Sequence, residues 1–277
     1  MDNNTYLDVC LLLLLALNSE AVKNRWNEYF DKLYNDPHEV EDDVLLSFPS
    51  SRNEEEIPGI EEDEVTAAIA KMKNGKTPGI DNVTVEELRT ATKGVGLKTI
   101  HGLFQSIWEI EEVAREWKRS IIVPVHKKQD KLDRLNYRGI SLLCHTGKIF
   151  SSIILQRIRK RTEEILSGAH AGFRPGRSTI DQNFTLRQPA EKYGEFSREL
   201  FVCYVDFRKA FDSVWQKGLW TVMRYPEKIV MILENAYRDT FSAVRVGGSL
   251  TEWFRTIVGH CREMFFHNCF LPFSWRL

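Results

Sequence analysis

The sequence predicts an α+β fold. Apolar residues recur at helical spacing along several segments, short apolar runs at 120–125 and 200–205 read as strands, and Gly247-Gly248 joins two more strands as a hairpin. At 277 residues and 43% hydrophobic content the chain can bury a real core in one or two domains. Thirty-eight Lys and Arg against 39 Asp and Glu leave a formal charge of -1, so the overall balance points to no polyanionic partner. The charge is segregated, however. Residues 36–64 are mainly acidic and 115–177 are rich in Lys and Arg, so a nucleic acid is expected to meet the second half alone.

The apolar run at 9–17 has the look of a signal-peptide core, but Asp2 and Asp8 precede it, no basic stretch does, and it is too short to span a bilayer. A buried or incidental helix is the better reading, and no membrane association is expected. Val22, Trp26, Tyr29, Phe30 and Leu33 then mark an amphipathic helix over 21–34 that Asp36-Pro37 stops. Pro37, Pro49, Pro58 and Gly59 among acidic residues read as a linker, with the folded body starting near Ile60. Glu61 to Glu64 open a second helix with Val65, Ile69 and Met72 on one face, ended by Asn74-Gly75. Ile100, Leu103, Phe104, Ile107 and Trp108 mark a third.

The strand at 120–125 delivers Lys127 and Lys128 to a loop. In the helix expected over 147–165, Ile149, Phe150, Ile153, Ile154 and Ile158 form the apolar face, while Arg157, Arg159, Lys160 and Arg161 read as a solvated one. The continuous apolar run 200–205 reads as a strand buried on both faces that stops at Asp206, with helical spacing resuming at Phe211, Val214 and Trp215. Five scattered cysteines, never spaced Cys-x-x-Cys, argue against a disulfide framework and for a reducing, intracellular setting over secretion.

A carboxylate at the end of a buried strand needs a partner, so Asp206 is either a metal ligand or the N-cap of the helix after it, and Asp212 can serve either role. Lys127, Lys128 and Arg138 share a loop with Tyr137 and Gly139, an arrangement able to hold a triphosphate or to form a solvated turn. Arg174 and Arg177 flank Pro175-Gly176, a stiffened turn offering two guanidiniums to a phosphate backbone. His260, Cys261, His267 and Cys269 lack zinc-site spacing.

Five motifs stand in order: Asn-Gly-Lys-Thr-Pro-Gly-Ile-Asp at 74–81, Trp-Lys-Arg-Ser-Ile-Ile-Val-Pro-Val-His-Lys-Lys at 117–128, Asn-Tyr-Arg-Gly-Ile-Ser-Leu-Leu at 136–143 with Lys148, Ala-Gly-Phe-Arg-Pro-Gly-Arg-Ser-Thr-Ile-Asp-Gln at 171–182, and Val-Asp-Phe-Arg-Lys-Ala-Phe-Asp-Ser-Val at 205–214. Over residues 26–259 the chain thereby resembles the non-LTR (LINE-like) retrotransposon reverse transcriptases. The resemblance implies the fingers and part of the palm of a right-hand polymerase, with an incomplete palm sheet and no thumb. It implies templated DNA synthesis from dNTPs on an RNA template and DNA primer, with Mg²⁺ held by several palm carboxylates. Asp206 matches the first catalytic and metal-binding aspartate. Lys127, Lys128, Arg138, Phe207 and Phe211 match the nucleotide-binding set, Phe211 as the steric gate, and Arg174 and Arg177 lie along the template.

The expected division is an apolar segment at 1–20, a helix and acidic linker at 21–60, fingers at 61–199, a partial palm at 200–259 and a tail unlike the family at 260–277. After Gly259 the family's Gln-Gly segment and two-aspartate turn do not follow, no Asp follows Asp239, and a two-metal site is left short of ligands. Arg224-Tyr-Pro226 looks a few residues short, and Pro189 falls inside a helix; both are expected to weaken local packing. Three functions compete: an inactive reverse-transcriptase domain, a polymerase completed by a partner chain, and a non-enzymatic nucleic-acid-binding module on the basic fingers surface.

Overall fold

A computed structural model describes residues 19–35, 55–127, 130–205 except 173 and 175, and 216–257 except 224. Helix α1 (Ser19–Tyr34) is followed by α2 (Glu62–Lys71), α3 (Val85–Ala91) and α4 (Gly96–Ile110). Capping fixes the starts. The Glu61 N–H donates to Glu64 Oε2 at 3.0 Å, and Thr84 and Glu87 cap α3 reciprocally. Strands β1 (Arg119–His126) and β2 (Tyr137–Leu142) lead into α5 (His145–Ile165) and α6 (Thr179–Glu195). Then come α7 (Gln216–Val222), α8 (Glu227–Tyr237), β3 (Thr240–Val246), β4 (Ser249–Leu250) and β5 (Phe254–Thr256).

The strands form one mixed sheet ordered β2-β1-β3-β4, with β5 also on β3. β1 pairs antiparallel with β2 and parallel with β3, Ile121 lying between Leu142 and Ala243. The expected hairpin is present, with Gly247 and Gly248 at φ 57° and 84°. Its return strand is not regular. Arg245 opposes Leu250 and Ser242 opposes Phe254, so Thr251, Glu252 and Trp253 stand against Ala243 and Val244, one residue in excess. Thr251 fills the bulge: its N–H donates to the Val244 carbonyl, its hydroxyl accepts from the Val244 N–H, and the hydroxyl hydrogen reaches Asn27 of α1, each at 2.9 Å.

The main core gathers Val65 and Ile69 of α2, Phe104 and Trp108 of α4, the isoleucine face of α5, and Ile229, Val230, Ile232 and Leu233 of α8. A second cluster, Phe30, Ile122, Val244 and Phe254, seats α1 on the sheet. The body therefore does not begin at Ile60: α1 belongs to it, because a helix carrying Trp26, Tyr29 and Phe30 on one stripe has an apolar sheet face to cover.

Three other expectations are corrected. Residues 201–205 form no strand and are exposed, Phe201 by 88% and Tyr204 by 79%; no strand among the described residues pairs with them, and an apolar run becomes a buried strand only with neighbours on its ladder. Near Pro226 the packing is not weakened. Tyr225 is fully buried with its hydroxyl 2.6 Å from Thr162, and Pro226 takes the N-cap position of α8. Finally, Arg157 is not solvated. It stacks on Trp108 and donates to Glu64 and to the carbonyls of Pro58 and Gly59, drawing 55–60 onto α5. Pro189 does lie inside α6, a helix with no buried side chain. Among the described residues no helix is long and apolar enough to cross a membrane.

Candidate nucleic-acid interface

Alternation along paired strands sorts the sheet's side chains onto two faces. One face carries Ile122, Pro124, Ser141, Ser242, Val244 and Phe254 and lies beneath α1. Gly139 belongs to it because any side chain there would strike Phe30, its Cβ falling 2.8 Å from Phe30 Cε1. The four charged strand residues, Arg119, Arg138, Arg245 and Arg255, are all arginine. All four fall on the opposite face, as the pairings of Val125 with Arg138, Arg119 with Phe241 and Phe241 with Arg255 require.

At the hairpin end, the Lys127 N–H donates to the Asn136 carbonyl at 2.9 Å and extends the ladder, so Lys127 shares this face with Val125 and Arg138. Lys127 and Arg138 are both exposed. Residues 130–136 are held by local bonds: Asp130 and Asp133 accept from the backbone of Leu132 and Leu135, Asn136 reaches the Asp130 carbonyl, and the Tyr137 hydroxyl donates to the Lys131 carbonyl. Arg134 lies over the Tyr29 ring, tying the loop to α1. Lys128 lies outside the described residues.

Further along the face, Arg119 stacks over Trp253 at 5.4 Å, and Arg255 pairs with Asp239 at 2.6 Å. Burial lowers the pKa of neighbouring Lys118, against the opposing charge of Asp239. Arg138 and Arg245 have no carboxylate partner among the described residues. Arg245 was not foreseen. Its placement depends on parallel pairing of β3 with a strand about 120 residues earlier, which no local pattern encodes.

Arg174 and Arg177 sit apart from the hairpin, after α5. The Arg174 side chain, 7% exposed, gives Nε and Nη2 to Glu163 Oε2 and Nη1 to the carbonyls of Ser167 and His170. Arg177 is exposed beyond a turn closed by its N–H on the Arg174 carbonyl. Asp206, Phe207 and Phe211 lie outside the described residues. Among the described residues no group of three or more His, Cys, Asp and Glu could hold a metal ion.

The reverse transcriptase (RNA-dependent DNA polymerase) family model matches residues 125–259. The chain is 28% identical over 198 residues to a probable RNA-directed DNA polymerase from transposon BS of Drosophila melanogaster, covering 70% of this chain and 22% of that protein. It is 32% identical over 162 residues to the X-element counterpart from the same fly, covering 56% and 17%. To the RNA-directed DNA polymerase from mobile element jockey of Drosophila melanogaster it is 27% identical over 194 residues, covering 67% and 21%. The chain thus spans 17–22% of the length of these relatives. Residues 125–259 carry a reverse transcriptase domain sequence, and the chain is homologous to the RNA-directed DNA polymerases of non-LTR retrotransposons.

Proposed function

We propose that this chain supplies the nucleotide- and template-handling part of a retrotransposon reverse transcriptase, with 61–199 as fingers and 200–259 as a partial palm. The observation that carries the reading is the meeting of Lys127 and Arg138 at one end of a well-held hairpin inside the matched segment, on the face that α1 leaves open. Two cations carried on a paired backbone are placed side by side to offset a triphosphate's charge. Lys128, Phe207 and Phe211 complete the nucleotide side, the flat ring of Phe211 excluding a ribose 2′-hydroxyl. Arg177 faces the template strand, and Arg174 stiffens the turn that presents it. Asp206 is the carboxylate offered to Mg²⁺, which when bound neutralises charge on the transferring phosphoryl group.

A polypeptide limited to these 277 residues does not extend a primer, because no aspartate follows Asp239 and residues 260–277 depart from the family pattern. The exposure of Phe201, Tyr204 and Val205 favours a second reading, in which another polypeptide segment covers this run and completes the palm. Primer extension on an RNA template with Mg²⁺ and dNTPs, beside Asp206→Ala and EDTA controls, tests both. The expected result is no incorporation by the chain alone. Incorporation abolished by either control overturns the inactive reading, and incorporation restored by a co-purifying chain supports the second.

A further inference from the structure

The two cations of the proposed triphosphate site stand on an overhang. β1 pairs with β3 over Arg119–Ile122 but with β2 as far as His126, so among the described residues 123–126 and 137–140 leave the sheet as a two-stranded ribbon, roughly 13 Å long at about 3.3 Å per residue. Such a ribbon is marginal in water unless something covers one of its faces. Here α1 does so. At the tip Tyr137 opposes His126, their ring centroids 5.1 Å apart, and the half-buried Trp26 ring meets Tyr137 edge-on at 4.9 Å. Tyr137 and His126 are the chain neighbours of Arg138 and Lys127, which the alternation of the strands turns to the other face. Trp26 is itself backed by Phe30, stacked on it at 5.9 Å, and the Phe30 ring lies against Gly139.

We propose that Trp26 is a positioning residue for the triphosphate site: held against Tyr137, it sets the height and twist of the ribbon and with them the placement of Lys127 and Arg138. One ring can act on both cations because His126 and Tyr137 form a single rung, and tilting that rung moves the backbone that carries the next residue on each strand. Trp26 meets no phosphate itself, since it lies on the opposite face of the ribbon. Arg134 gives α1 a second hold, lying over the Tyr29 ring and donating to the Arg25 carbonyl at 3.3 Å, but it stands in the exposed loop and not on the rung. The inference rests on the triphosphate reading of Lys127 and Arg138 given above and adds to it a residue outside the matched segment 125–259. The coupling carried by one aromatic pair is bounded by what the pair is worth, about tenfold in affinity.

Isothermal titration calorimetry of the full chain with dGTP and Mg²⁺ tests it. Trp26→Ala is expected to weaken dGTP binding by up to about tenfold and Trp26→Phe to restore most of it. Tyr34→Leu removes a ring stacked on Phe30 at 6.3 Å from the C-terminal end of α1, and is expected to lower the melting temperature while leaving dGTP affinity unchanged. Because Trp26 acts through the cations, Arg138→Gln is expected to weaken binding in the wild type and to weaken it less in the Trp26→Ala background. Circular dichroism checks that each variant folds. Affinity that Arg138→Gln lowers and Trp26→Ala does not overturns this inference while leaving the triphosphate site standing. So does a fully additive loss in the double variant, or a loss in Tyr34→Leu equal to that in Trp26→Ala. Absence of dGTP binding, or binding indifferent to both Lys127→Gln and Arg138→Gln, overturns the triphosphate reading itself and this inference with it.

Discussion

Arg157 concentrates hydrogen bonds, an ion pair and a ring contact in one place, and its environment sets a specific pH response. Its guanidinium meets Glu64 at 2.5 Å, two backbone carbonyls and the Trp108 ring, with the side chain 12% exposed. Burial pushes the Glu64 carboxyl up, but hydrogen bonds from Arg157 and the Glu61 N–H, together with the Arg157 charge, more than offset this and hold it below its ordinary value of 4.5. A depressed folded pKa means that this stabilisation is complete above pH 4.5 and is lost as pH falls through the folded value. Arg157→Met is expected to cost about 2–4 kcal/mol in urea unfolding at neutral pH and to shrink the acid-side loss of stability. Equal acid slopes in the two proteins would contradict this assignment. The residue's amphipathic position was legible in the sequence, but its role was not, since Pro58, Gly59 and Glu64 lie more than 90 positions away.

At the level of elements, local chemistry was readable and pairing was not. The helix start at Glu61, the stop near Asn74-Gly75 and the Gly247-Gly248 hairpin all follow from residues within a few positions of one another, whereas the short helix α3 that Thr84 caps was not read. The bulge at Thr251 could not be read, because a strand with one extra residue keeps a plausible alternation on either side of it. Thr251→Val is expected to destabilise the hairpin by about 1–3 kcal/mol, stranding the Val244 N–H, whereas Thr251→Ser should be nearly neutral. Hydrogen exchange at Val244 reports the difference directly. The run 200–205 shows the same limit from the other side. Its composition suits a strand, yet composition supplies no ladder.

For the whole molecule, the boundaries of family likeness and of packing do not coincide. The matched segment opens at Val125, inside β1, whereas the packed unit also uses Phe30, Ile60, Phe104, Trp117 and Ile122. A polypeptide of residues 125–259 is therefore expected to lack cooperative unfolding by circular dichroism, while one spanning 19–259 unfolds in a single transition; a sharp transition for the shorter piece would refute this. The parallel union of β1 with β3 closes over about 120 residues, a long-range contact that slows folding and that no window of sequence displays.

The segregation of arginine onto one face of the sheet also has an energetic consequence for the unliganded protein. Cations gathered on a common surface repel one another, and the pairing of Arg255 with Asp239 offsets only part of that repulsion, so the free chain carries an internal strain of electrostatic origin. Added salt relaxes that strain, while the same salt would weaken any attraction of this face for a polyanion. Stability and affinity are thus set against each other by ionic strength, and the gain in melting temperature on adding a polyanion is greatest where the free sheet is least at ease.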